Sequence, residues 1–174
     1  MNLLKTVLVL LACIFFVGCA STGKSFSEFN NSTESKAKPG ASKAIVYRTT
    51  DSMLMSLRAA RIKLNENEVA SCERGGFVSI DIPLGTNTLS VDIWDAPGSC
   101  TLTATATQPN LIVYYEVKPR SSGITALALG GLLGGAIEGD KACSGPFEIK
   151  QVGNDEALSK LINLRLSKWY GQYI

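Results

Sequence analysis

The chain contains no histidine. That absence removes Ser-His-Asp and Cys-His catalysis in their usual forms, and it takes away the commonest metal ligand. Charge of one sign is also lacking: 17 Lys and Arg stand against 15 Asp and Glu, a net of +2. A chain so balanced offers no electrostatic footprint for nucleic acid. No CxxC knuckle is present. Cys72, Cys100 and Cys143 lie 28 and 43 residues apart, which argues against a zinc site. Long hydrophobic runs are missing too. The two apolar stretches, Thr6 to Val17 and Ile124 to Ile137, fall short of the roughly 17 or more residues that a spanning helix needs.

What is present begins with an address. Lys5 supplies a positive n-region, and TVLVLLACIFFV (residues 6–17) an apolar h-region of about a dozen residues. The run ends at Phe16-Val17-Gly18-Cys19 and gives way to polar Ala20-Ser21-Thr22-Gly23. This junction resembles the lipobox of bacterial lipoproteins, with Val17 and Gly18 in its last two places. Phe16 stands where Leu, Val or Ile is usual. The resemblance implies a signal peptide over residues 1–18 and lipidation, palmitate included, of Cys19. It also implies a membrane-held protein of the cell envelope. Ala20, in place of a retention-type Asp, points to the outer membrane facing the periplasm. Removing residues 1–18 takes away one charge, Lys5, and leaves a net of +1.

Residues 19–42 are rich in Ser, Thr, Asn, Lys and Gly and show no apolar period, so they are expected to hold a lipidated cysteine followed by a disordered tether, the alternative being a short helix around Ser25 to Asn30 with little to pack against. A flexible chain of that length would stand the domain off by roughly 25–30 Å. From Lys43 the pattern becomes that of strands. Ala44 to Tyr47 is β-rich. Ile62 and Leu64, then Val78, Ile80 and Ile82, then Leu89, Val91 and Ile93 alternate with polar neighbours. Leu102, Ala104 and Ala106, then Val113, Tyr115 and Val117, and lastly Phe147 and Ile149 continue the series. Period-2 runs separated by Gly, Pro and Asn turns predict a mainly β fold: an antiparallel β-sandwich of about seven strands over residues 43–174. One C-terminal helix is expected over 154–166, capped by Asn154, with Leu158, Leu161 and Ile162 as its apolar stripe. Lys43 to about Leu164 resembles an uncharacterised family of bacterial lipoproteins with a small PEGA-like β-sandwich. The likeness is carried by KAIVYRT, IKLNENEVA, FVSIDIPLGTNTLSV with its Pro-x-Gly turn, and LIVYYEVKP. It implies fold and anchoring, and no site residues.

Three cysteines beyond Cys19 allow one internal bridge in an oxidising compartment. Cys100–Cys143 is the preferred pair because each cysteine borders a predicted strand start. Cys72–Cys100 is a rival, and three free thiols remain open. The Gly-rich apolar insertion, residues 123–139, carries Leu127, Leu129, Leu132 and Leu133. It reads as a loop tucked over the core, as a partner-docking element, or as a shallow membrane insertion. The tail brings Trp169 and Tyr170 beside basic residues, either to pack on the domain or to meet a glycan, peptide or headgroup. Asp81 and Asp92 are expected on the polar faces of adjacent strands, and Glu66, Glu68 and Glu73 cluster around one hairpin. Solvated sheet-face residues explain them more simply than a glycosidase-type carboxylate pair. The sequence therefore predicts a non-enzymatic envelope lipoprotein without cofactor or metal, binding or structural in role. The alternative is an accessory or assembly subunit of an envelope complex, docking through the Gly-rich segment. An envelope enzyme is the lesser one.

Overall fold

The computed structural model describes residues 21–52, 55–120 and 143–167. Its elements are α1 (Phe26–Asn30), β1 (Ala41–Arg48), β2 (Ala60–Leu64), β3 (Asn67–Cys72), β4 (Gly76–Pro83) and β5 (Gly85–Ile93). Then follow β6 (Ala96–Ala106), β7 (Ile112–Pro119), β8 (Phe147–Val152), α2 (Asn154–Leu161) and β9 (Arg165–Leu166). The strands form two sheets, β8-β7-β1-β4-β9 and β3-β2-β5-β6, packed as a sandwich. Most pairings are antiparallel, but β1 with β7 and β4 with β9 are parallel.

The period-2 runs bury the faces they imply. Val46, Val78, Ile80, Tyr115 and Val117 from the first sheet meet Ile62, Leu89, Val91 and Ile93 from the second. β1 departs from alternation because it is buried along all eight residues. Its second face, Ile45 and Tyr47, joins Phe77 and Tyr114 in another apolar layer outside the sandwich. That layer is covered by Phe26 and Phe29 of α1, by Ala157 and Leu161 of α2, and by Leu164.

This second layer corrects two expectations. The described part of the supposed tether, residues 21–40, is folded. Ser25 Oγ accepts the Glu28 N–H while Glu28 Oε2 accepts the Ser25 N–H, a reciprocal capping box that starts α1. One turn apart, Phe26 and Phe29 point the same way and pack edge-on against Phe77, with ring centroids 5.4 and 5.3 Å away. Each contributes about 1.5–3 kcal/mol by leaving water. Gly23 N donates to Leu166 O at 3.1 Å and Leu166 N to Lys24 O at 2.8 Å, lacing this segment to β9. The polar average over the stretch concealed two phenylalanines at helical spacing.

The C-terminal helix is shorter than 154–166. Gly153, not Asn154, is its N-cap, and it stops at Leu161. Ala157 and Leu161, one turn apart, are buried, whereas Leu158 and Ile162 are exposed. Pairing of Arg165 and Leu166 with Gly76 and Phe77 draws the chain out of the helix. β3 and β9 are the strands beyond the seven expected. β3 is an edge strand with only Ala70 and Cys72 buried, joined to β2 through a turn with Asn65 and Glu66 at φ 49° and 68°.

Candidate functional site

One pole of the sandwich gathers the unusual features. β1 ends there at Arg48, opposite Gly76 where β4 begins. The short link from Cys72 to Gly76 brings the end of β3 to the same place, and the antiparallel order adds Ala60 of β2 and Ile93 of β5. The connection from β1 to β2 crosses this pole and is tied down by arginines. Arg48, 1% exposed, lies over the Phe147 ring, 4.7 Å from its centroid. Its guanidinium donates to the carbonyls of Arg58 and of Met55, the latter at 2.7 Å. Burial lowers its pKa to about 10, with the neighbouring Arg74 adding to the fall, so it remains a cation at neutral pH. Arg74 donates to Ser52 O at 3.0 Å and to Thr50 O at 2.6 Å.

Pinned in this way, the connection holds Leu57 74% exposed. Across a cleft of about 400 Å³, Trp94 in the β5–β6 turn is 72% exposed. Arg58, Ala59, Arg61, Glu68 and Ser71 line the rest. Arg58 lies 5.7 Å from the centre of the Trp94 ring and pairs with Asp95 at 2.6 Å. Arg61 and Lys63 both hold Asp92, each at 2.7 Å. The charged groups of the cleft thus neutralise one another beside an exposed indole and an exposed leucine. Such a shelf suits non-covalent contact with a surface that is apolar in part and polar in part.

A second cluster sits between β7 and α2. Glu116, fully buried, accepts a hydrogen bond from Lys160 Nζ at 2.8 Å, and its other oxygen lies 3.3 Å from both Lys118 and Lys150. Burial opposes its charge, but the three lysines outweigh it and hold the carboxyl below the usual range. The same contact raises Lys160. Nearby, burial and then the Glu116 charge push the Tyr47 phenol up to about 12. The cluster clamps α2 to the sheet. A carboxylate encircled by three lysines lacks the accessible base that proton abstraction requires.

Cys100 and Cys143 form a disulfide, tying β6 of one sheet to the segment that leads into β8 of the other. This is the preferred pair. Cys72 is the free thiol among the described residues and is fully buried, its Sγ 3.5 Å from Gly76 O. Asp81 and Asp92, expected on neighbouring strands, belong to different sheets, because β4 and β5 are consecutive but not paired. Asp81 pairs with Lys43 at 2.9 Å. Among the described residues no group of three or more Cys, Asp or Glu is placed to hold a metal. Cys19, Leu127, Leu129, Leu132, Leu133, Trp169 and Tyr170 lie outside the described residues.

Leu57 and Trp94 were not singled out in the sequence. For Trp94 the signal was there: with Leu89, Val91 and Ile93 facing inward, parity puts Asp92 and Trp94 on the outer face. Leu57 carries no such pattern. No protein-family model, curated protein or solved structure matches the chain.

Proposed function

We propose that this protein is a lipid-anchored protein of the bacterial cell envelope, with its β-sandwich a non-catalytic binding or structural module. The junction of anchor and fold carries this reading. Val17-Gly18-Cys19 closes an apolar run, and two residues later Ser21 is already buried, its hydroxyl donating to Arg165 O at 3.0 Å and Leu166 O at 2.6 Å. Acyl chains on Cys19 contribute about 0.8 kcal/mol per buried methylene, and more than one chain gives a stable hold. The Cys100–Cys143 bridge supports an oxidising, extracytoplasmic compartment. Ala20 favours the outer membrane. The mutual pairing of charged groups in the Trp94 cleft supports a binding role over a catalytic one.

The second reading is an accessory subunit of an envelope complex, docking through the Gly-rich segment with Leu127, Leu129, Leu132 and Leu133. It is favoured by the residues on either side of that segment. Arg120 Nη1 donates to the carbonyls of Cys143 and Gly145, so the chain departs and returns at one spot. Metabolic labelling with palmitate tests the anchor: Cys19→Ser should lose the label and leave an unprocessed or released chain. Equal labelling of wild type and variant would end the lipoprotein reading. Crosslinking the same membranes tests the second reading through the proteins that copurify.

A further inference from the structure

Ser21, bonded to β9 where β9 pairs with Gly76, lies at the same pole as Leu57 and Trp94. We infer that this pole lies against the phospholipid surface, with Leu57 and Trp94 seated among the headgroups. The inference rests on the anchoring reading above, and it replaces a domain held at a distance with one held flush.

Ser21 lies two positions beyond Cys19, and an extended chain spans at most about 3.6 Å per residue, so roughly 7 Å is available. Ser21 is only 5% exposed, bonded to Arg165 and Leu166 of β9, and β9 pairs with Gly76 at the pole. The folded part therefore cannot stand off by the 25–30 Å that a flexible tether would allow. Whichever surface surrounds Ser21 must meet the bilayer. From Gly76 the polar end continues through Glu73 and Arg74 to Leu57 and Arg58, and across the cleft to Trp94.

The side chains at this end suit that contact. Leu57 and Trp94 are the most exposed large hydrophobic residues described, at 74% and 72%. At the far pole Leu84, Leu111 and Ile112 are 47%, 41% and 40% exposed. An indole has an apolar body and a polar N–H, which is why tryptophan collects at membrane interfaces. Arg58 and Arg165, at the surface of this end, carry planar guanidinium groups that match phosphate oxygens. Asp95 and Glu73 are interspersed among them, so apolar contact is the larger contribution and charge the smaller.

The test uses the full-length, membrane-processed protein with Trp169→Phe, which leaves Trp94 as its sole tryptophan. It is reconstituted into vesicles of phosphatidylethanolamine and phosphatidylglycerol, with plain or brominated acyl chains, and palmitate on Cys19 is measured on the same preparation. Trp94 emission should shift to shorter wavelength on reconstitution and be quenched by the brominated lipid. A reporter at the far pole, Leu111→Trp with both native tryptophans changed to Phe, should show neither effect. Palmitate present with Trp94 unquenched would overturn the inference while leaving the anchor standing. Quenching of the Leu111→Trp reporter in place of Trp94 would show that the opposite pole faces lipid, and would overturn it too. Absence of lipid on Cys19 would defeat the anchoring reading and this one with it.

Discussion

Burial pushes the Cys72 thiol up to about 12, and the carboxylate of Glu73 adds to the effect although Arg48 opposes it. A thiolate is the reactive form, so at neutral pH this sulfur is protected both by its protonation and by its surroundings. Without prior reduction, an alkylating reagent should leave Cys72, Cys100 and Cys143 unmodified in the native protein and modify Cys72 alone after denaturation. Labelling of Cys100 or Cys143 under those conditions, read by peptide mass spectrometry, would contradict the bridge. Glu116 sets a different residue-level expectation. Its carboxyl is held below the ordinary value of 4.5, so its contribution is complete above that value and is lost as pH falls through the lowered one. Glu116→Gln should therefore flatten the acid limb of a stability-against-pH curve measured by urea titration. Lys160→Ala should cost on the order of 2 kcal/mol. That is less than the about 3–5 kcal/mol of an uncompensated buried charge, because Lys118 and Lys150 remain beside the carboxylate. An acid limb unchanged by Glu116→Gln would mean the cluster adds nothing to stability.

Among the elements, α1 shows most clearly how a short motif can outweigh composition. Residues 21–40 are polar on average, yet Ser25 and Glu28 spell a capping box and Phe26 and Phe29 supply one apolar face. Five residues make a helix too short to persist alone in water, so its order comes from Phe77, Ile45 and the rest of the outer layer. Phe29→Ala should destabilise the domain by about 3 kcal/mol. It should also open residues 21–40 to limited proteolysis while leaving a resistant fragment that begins near β1. Early cuts in this stretch of the unaltered protein, at the same rate as in the variant, would show that the layer does not hold it. The strands were legible wherever one face is wet, as in Val78, Ile80 and Ile82. β3, the return arm of the hairpin around Glu66 and Glu68, shows no clear alternation because an edge strand buries little. Helix α2 was placed correctly at its start, but of its expected stripe only Leu161 is buried. Ala157 is a weak hydrophobic signal beside Leu158, and only the covered surface of β1 and β7 selects between them.

At the scale of the whole molecule, the local alphabet of period-2 runs, turns and one late helix determined a mainly β sandwich. The same local reading preferred the pair Cys100–Cys143, which the structure joins. Local information sufficed there because alternation, turn chemistry and capping act within a few residues. Pairing between strands acts over the whole chain, and no local pattern encodes it. Only the tertiary structure decided that β1 lies between β4 and a parallel β7 and is buried on both faces. It likewise decided that Asp81 and Asp92 part into different sheets. Leu57, from an irregular connection, meets Trp94, from a hairpin, because Arg48 and Arg74 hold that connection by its carbonyls. The N-terminal reach of the folded part was decided in the same way. Composition favoured a loose tether, but the apolar layer on the outer face of β1 offers Phe26 and Phe29 a place to leave water, and so orders the chain back to Ser21.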